Sequence, residues 1–182
     1  MSQLKPLTKR LKRYFDAYGG WRAIWGSPLF HLSVIVGFSA HAYWVSAKWV
    51  DLTFSLIPSL LGFSLGTYAI LFSLITNRMR KALRAVKNSR GISYLEEINA
   101  TFFHFIFMQT AILFYAFLFG GLKIDGFSRY VAKVAPIYEI LVWPICSILS
   151  AAGMILLVYA VSLVVGAALT VYRLALITDP ED

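Results

Sequence analysis

Charged side chains are scarce in this sequence. Asp, Glu, Lys and Arg make up 14% of the 182 residues, whereas soluble domains carry about 25%. Hydrophobic residues reach 59%, and the mean hydropathy is +0.69. This balance excludes an ordinary soluble domain. It predicts an all-α integral membrane protein with apolar helices of about 20 residues.

Residues that carry chemistry are also few. A single cysteine, Cys146, excludes an intramolecular disulfide and a cysteine-based metal site. The sequence has no His-Glu-x-x-His motif, no phosphate-cradling glycine loop and no convincing nucleophile–base pair. We therefore expect no enzyme activity, no metal and no cofactor. His31 and His104 are expected at similar depth, which leaves a haem or quinone anchor subunit as a third choice.

The apolar stretches predict four transmembrane helices in residues 27–182, at about 28–47, 52–76, 100–119 and 145–172. Ser27 is the expected cap of the first helix, with Pro28 at its first position. Asp51 is the expected cap of the second helix. We interpret the fourth as one tilted helix, kinked at Pro144.

Residues 1–26 form a separate basic, amphipathic segment. One face of its predicted helix carries Leu4, Leu7, Leu11, Tyr14, Phe15 and Tyr18, and Gly19-Gly20 ends it. This pattern is typical of a helix that lies in the inner membrane interface. The alternative is packing against the basic helix of a neighbouring copy. A removable signal peptide is not expected.

Lysines and arginines predict the orientation. Thirteen of them fall before the first helix, between the second and third, or after the fourth, and four fall in the other loops. The positive-inside rule places both termini and the 77–99 loop in the cytoplasm, and we expect a bacterial inner (plasma) membrane. Trp44 and Trp49 are then expected at the outer interface, and Trp21 and Trp25 at the inner one.

The 77–99 loop opens with a basic stretch. Ile75, Met79, Ala82, Leu83 and Val86 share one helical face, and the other face carries Arg78, Arg80, Lys81, Arg84 and Lys87. The pattern predicts an amphipathic helix that continues the second transmembrane helix. Gly91 would end it, and Ser93 to Glu96 form a capping box that starts the next helix. We expect this hairpin to bind a cytoplasmic protein or anionic lipid. Nucleic acid is not the expected partner, because the basic stretch has no aromatic residues for base stacking.

A stripe of small residues follows the second helix at spacings of four, three, four, three and four: Ser55, Ser59, Gly62, Gly66, Ala69 and Ser73. Small residues allow helix backbones to approach closely in lipid. The stripe predicts either a homo-oligomer contact or a pore lining. Packing against the fourth helix of the same subunit is the alternative.

Together these features predict a non-enzymatic membrane protein that self-associates and presents its basic hairpin to a partner. Such a layout resembles the membrane sensor or effector component of a bacterial antiviral defence or immunity module, by analogy of architecture. The alternative is a stand-alone oligomeric ion channel or pore.

Overall fold

The computed structural model describes residues 4–121 and 136–175, with side chains over 5–121 and 143–175. The described chain is all-helical. Its elements are α1 (Leu4–Tyr18), α2 (Gly20–Trp25), α3 (Pro28–Ser39), α4 (His41–Val45), α5 (Trp49–Leu74), α6 (Asn77–Ala85), α7 (Tyr94–Gly121) and α8 (Pro136–Ala175).

Three of these helices are long and apolar enough to cross a membrane: α5, α7 and the Trp143–Ala175 part of α8. They contain 26, 28 and 33 residues. At about 1.5 Å per residue, each exceeds the ~30 Å hydrocarbon core. These three helices indicate a membrane protein.

The first predicted transmembrane helix is divided in two. α3 has 12 residues and α4 has five. Between them Ala40 leaves helical geometry, with a ψ of 42°. The indole N–H of Trp44 donates to the Phe38 carbonyl oxygen at 3.2 Å, next to the break. The prediction of one unbroken helix over 28–47 is therefore wrong, and a fourth crossing stays a prediction.

Both ends of α5 also differ from the prediction. It begins at Trp49 with Lys48 as N-cap, so Asp51 lies in its first turn and does not cap it. It ends at Leu74, and the next two residues are extended. The Thr76 hydroxyl then accepts the Met79 N–H at 3.2 Å. Because this cap starts a new helix, the expected continuous extension of α5 is wrong, and α6 is a separate element.

α8 confirms the prediction of one continuous helix. It has 40 residues with Pro144 inside it, a length of about 60 Å at ~1.5 Å per residue. α3, α4, α5 and α7 all pack on α8. α1 and α6 pack on α7. The bundle is thus organised around α8, and the hairpin and the amino terminus attach through α7.

Buried side chains form two clusters at opposite ends of the bundle. The hairpin-end cluster contains Ile75, Leu83, Leu95, Ile98, Phe102, Phe105, Tyr159, Leu163, Ala167 and Leu174. The far-end cluster contains Trp49, Ile57, Ile112, Ala116, Phe119, Met154, Leu157 and Ala160. Trp49 is fully buried, and its indole N–H donates to the Ser150 hydroxyl at 2.8 Å. Trp49 therefore faces the interior of the bundle, and its expected depth at the outer interface stays a prediction.

Two glycines permit the closest helix contacts. A Cβ on Gly37 of α3 would lie 2.8 Å from the Cα of Ile155 on α8. A Cβ on Gly153 of α8 would overlap the indole ring of Trp49. Since small residues are the main device by which helices approach each other in lipid, these two glycines set how closely α3 and α5 pack on α8.

Candidate functional site

The small-residue stripe of α5 faces away from the bundle. All six of its residues are exposed: Ser55, Ser59, Gly62, Gly66, Ala69 and Ser73. Apart from neighbouring residues and backbone of α5 itself, no described atom lies within 4 Å of a Cβ placed on Gly62 or Gly66. The predicted alternative, in which this stripe packs on the fourth helix of its own subunit, is not what the structure shows.

The opposite face of α5 makes the contacts within the subunit. Thr53, Ile57 and Ser64 are buried there. At about 100° per residue, Gly62 and Ser64 point ~200° apart. The stripe therefore lies on the outer surface of the subunit.

The serine hydroxyls at the two ends of the stripe are satisfied within α5. Ser55 donates to the Leu52 carbonyl at 3.0 Å, and Ser73 donates to the Ile70 carbonyl at 2.8 Å. Because these hydroxyls have partners inside the helix, the stripe can contact another helix in lipid without leaving them unpaired.

The hairpin between α5 and α7 has an inner and an outer side. Ile75 and Leu83 are buried in the hairpin-end cluster, and Met79 packs against it half-buried. Ala82 and Val86 were predicted on the same face, but both are exposed. Val86 is exposed because α6 ends at Ala85, before the helical pattern can bring it inward, whereas Ala82 lies within α6 at the edge of the buried face.

The five predicted binding residues lie on the outer side of this hairpin. Arg78, Lys81, Arg84 and Lys87 are exposed, and Arg80 is half-buried. Four of the five predicted binding residues are therefore accessible, and their binding role stays a prediction.

The hairpin tip has a defined backbone. An isolated bridge joins Lys87 and Ser93, and Gly91 between them has a φ of 75°, which favours glycine. Ser93 and Glu96 form the predicted capping box: the Glu96 N–H donates to the Ser93 hydroxyl at 3.3 Å, and the Ser93 N–H donates to the Glu96 carboxylate at 3.3 Å. These bonds define the backbone at the tip of the hairpin.

α1 is attached to the same end of the bundle by residues that sequence analysis did not assign. Arg90 donates to the carbonyl oxygens of Asp16 and Ala17, at 3.3 and 3.4 Å, at the end of α1. Arg13 forms an ion pair with Glu96. The sequence carries no sign that separates Arg90 from the other cations of the hairpin, because its partners are main-chain atoms 73 and 74 positions away.

A buried histidine completes the attachment of α1. The Tyr14 hydroxyl lies 2.7 Å from Nδ1 of His104, and the Tyr159 hydroxyl lies 3.1 Å from Nε2. The Tyr18 ring stacks on His104 with centroids 3.9 Å apart. Burial raises the pKa of the Tyr14 hydroxyl, and the neighbouring Tyr18 raises it further, so this hydroxyl stays protonated. His104 thereby connects α1, α7 and α8.

The two histidines proposed for a haem or quinone site differ in environment. His104 is buried, with both ring nitrogens engaged. His31 is exposed, and its Nδ1 bonds the Ser27 carbonyl at 2.9 Å. No cluster of three or more His, Cys, Asp or Glu side chains suited to a metal occurs in the described part of the chain.

Gln109 is a polar side chain at mid-depth of α7. It is fully buried, and neither its Nε2 nor its Oε1 has a hydrogen-bond partner among the described residues. A buried amide without partners costs about 1–3 kcal/mol. Gln109 is therefore the least satisfied polar group in the described bundle.

Comparison with family models, curated proteins and solved structures finds no match.

Proposed function

We propose that this chain is a non-enzymatic, polytopic protein of a bacterial inner membrane that self-associates through the outward stripe of α5. The observation that carries the proposal is the position of Gly62 and Gly66, which have open space above them. In lipid, a smooth backbone surface of this kind favours contact with a second helix. A second copy supplies the same stripe, and two such stripes meet through small residues on both sides.

The hairpin is the second part of the proposal. Arg78, Lys81, Arg84 and Lys87 are exposed on an element whose apolar side is already buried. Their positions are fixed by the Thr76 cap and by the Ser93 capping box. A fixed cationic surface suits an acidic cytoplasmic protein, with anionic lipid as the rival ligand. The protein would then act as the membrane component of a defence or immunity module, an assignment by analogy of architecture.

The topology that this proposal requires has both termini and the hairpin in the cytoplasm. It follows from the thirteen-to-four distribution of lysine and arginine and requires that α3 and α4 together make a fourth crossing. Reporter fusions after Ser89 and after Asp182 test it. Both should be active in the cytoplasm, and activity of either fusion only outside the cell would contradict the arrangement.

The docking role of the hairpin is tested by Arg84→Glu. This change replaces an attraction with a repulsion in the middle of the cationic surface, so capture of the partner from cytosolic extract should weaken roughly tenfold. Lys5→Glu is the matched control, because it changes the net charge equally on α1. Orientation and oligomer size should stay as in the wild type for both variants.

Position should matter as well as charge. Adding Asn88→Lys to Arg84→Glu returns a positive charge to the hairpin at a different place, and we expect no recovery of capture. Full capture by Arg84→Glu, or rescue by Asn88→Lys, would mean that the basic residues only orient the chain in the membrane.

An oligomeric ion channel is the second candidate, favoured by the three serines on the exposed stripe. It predicts ionic current from purified protein in planar bilayers, and that current should be lost in Gly62→Leu. A silent wild-type protein that still forms oligomers favours the partner-binding function over the channel.

A further inference from the structure

A large cavity separates the amino-terminal helices from the rest of the bundle. α1 and α2 form one side of it, and α7 and α8 form the other, with Phe30 of α3 between them. Its volume is about 660 Å³, within the ~300–1,000 Å³ range of small-molecule sites. It lies away from both the α5 stripe and the basic face of α6.

The walls of the cavity are largely apolar along their length. Leu11, Phe15 and Trp25 contribute from α1 and α2, and Met108 and Leu156 contribute from the bundle. Met108 lies 14 positions after Tyr94, where α7 begins, which is about 21 Å along the helix at ~1.5 Å per residue. The cavity thus extends from the amino-terminal helices well into the membrane-crossing part of α7.

Three polar side chains on the wall of the cavity, those of Tyr14, His104 and Tyr159, have partners already. The hydroxyls of Tyr14 and Tyr159 both bond His104. A ligand with a polar ring, such as a quinone, would find these groups engaged, whereas a hydrocarbon chain needs no partner. Empty apolar space is unfavourable because its lining lacks dispersion contacts. The apolar walls therefore favour a hydrocarbon chain as the ligand of this cavity.

The positive charge at the edge of the cavity favours a ligand with an anionic headgroup. Lys12 of α1 lines the cavity and is exposed. The rest of α1 is strongly basic, with Lys5, Lys9, Arg10 and Arg13 against the single acid Asp16. Trp21 and Trp25 are 66% and 61% exposed beside it, as is usual for tryptophans at a membrane interface.

We propose that this cavity binds one acyl chain of an anionic glycerophospholipid, with the phosphate headgroup at Lys12. The lipid enters from the cytoplasmic leaflet, so the inference rests on the membrane placement given under Proposed function. It fills the space between α1–α2 and α7–α8 and fixes the amino-terminal helices against the bundle.

Native mass spectrometry of the full chain in detergent tests the site directly. Phosphatidylglycerol and phosphatidylcholine with identical acyl chains are added as the two probes. The wild type should retain one phosphatidylglycerol molecule in preference to phosphatidylcholine. Lys12→Gln should reduce that preference roughly fivefold, the effect of one cation at ~1 kcal/mol. Lys5→Gln removes the same charge from a residue outside the cavity and should leave the preference unchanged.

The chain-binding part is tested by Met108→Trp, which fills the cavity. It should lose both lipids, whereas Val165→Trp on the exposed face of α8 should keep them. A wild-type preference that Met108→Trp does not change would overturn the proposal. A second result would also overturn it: the wild type retains no lipid and forms a dimer, and Met108→Trp dissociates that dimer. A second copy of the chain would then occupy the cavity. Recovery of the wild type in the soluble fraction after an alkaline wash would refute the membrane placement separately.

Discussion

Two pairs of glycines in this bundle have the same chemistry and opposite surroundings. Gly37 and Gly153 lie under neighbouring helices so closely that no side chain fits, whereas Gly62 and Gly66 face open space. The first pair determines how the subunit packs, and the second is the surface it offers to another copy. A small residue in a membrane helix thus acquires its role from its neighbours. Histidine and arginine show the same contrast. His104 and Arg90 form hydrogen bonds to α1, whereas His31 bonds only the nearby Ser27 carbonyl and Arg84 is exposed on α6.

The largest effect is expected from Gly153→Leu. Its side chain would occupy the position of the Trp49 ring, which is buried and bonded to Ser150. Overpacking of this kind costs about 1–3 kcal/mol or more. Thermal unfolding in detergent should show a clear loss of stability, and the near-ultraviolet circular dichroism of the tryptophans should change.

Gly62→Leu is the matched control for that change, because it adds the same side chain where no other element of the described chain is within 4 Å. We expect the free energy of unfolding of the separated monomer to stay within about 0.5 kcal/mol of the wild-type monomer. Equal destabilisation by the two substitutions would remove the distinction between the glycine pairs.

A smaller effect is expected from His104→Phe. This change keeps a ring of similar shape but leaves the hydroxyls of Tyr14 and Tyr159 without their common partner. The cost is about 1–3 kcal/mol, and it should appear as faster amide hydrogen exchange in α1. His31→Phe, at an exposed residue, should leave the exchange of α1 as it is in the wild type. Unchanged protection of α1 in both variants would show that His104 does not hold this helix.

The smallest effect is expected from Arg90→Ala. Arg90 is exposed, and its bonds to the last carbonyls of α1 are long. A cation at a helix carboxyl end contributes about 0.3–1 kcal/mol. Exchange should accelerate only in the last turn of α1, whereas Arg84→Ala should leave α1 unaffected. If the two variants have equal exchange profiles, Arg90 does not hold α1 in place.

Features of this fold that depend on nearby residues could be predicted from the sequence. Gly19 has a φ of 112° where α1 was expected to end, and Ser93 and Glu96 form the expected capping box. Each of these devices involves residues at most a few positions apart. Their physical cause is therefore visible in a short stretch of sequence.

The division of α5 and α6 was missed although a signal was present. Thr76 is a good N-cap residue, but the apolar pattern of Ile75, Met79 and Leu83 continues across it. The pattern correctly indicated which side of the hairpin is buried, and the backbone nevertheless breaks there. The apolar periodicity indicates which way the side chains point, whereas the N-cap at Thr76 determines where the helical hydrogen bonds of α6 begin.

Features that depend on distant residues could not be predicted. Nothing near Gly153 indicates that Trp49, more than 100 positions earlier, would lie against it. For the same reason Trp49 was expected at the interface and is buried. The sequence also does not show which phenylalanines of α7 meet another helix. Three are buried and four are exposed: Phe102, Phe105 and Phe119, against Phe103, Phe107, Phe114 and Phe117.

The central claim is that the exposed stripe of α5 joins two copies of the chain. Oxidative cross-linking in native membranes tests it most directly, with Gly62→Cys in a Cys146→Ser background. Val165→Cys, on the exposed face of α8, is the control for random collision. The account predicts a disulfide-linked dimer for Gly62→Cys and little or none for Val165→Cys. Equal cross-linking at the two positions, or none at Gly62→Cys, would contradict it.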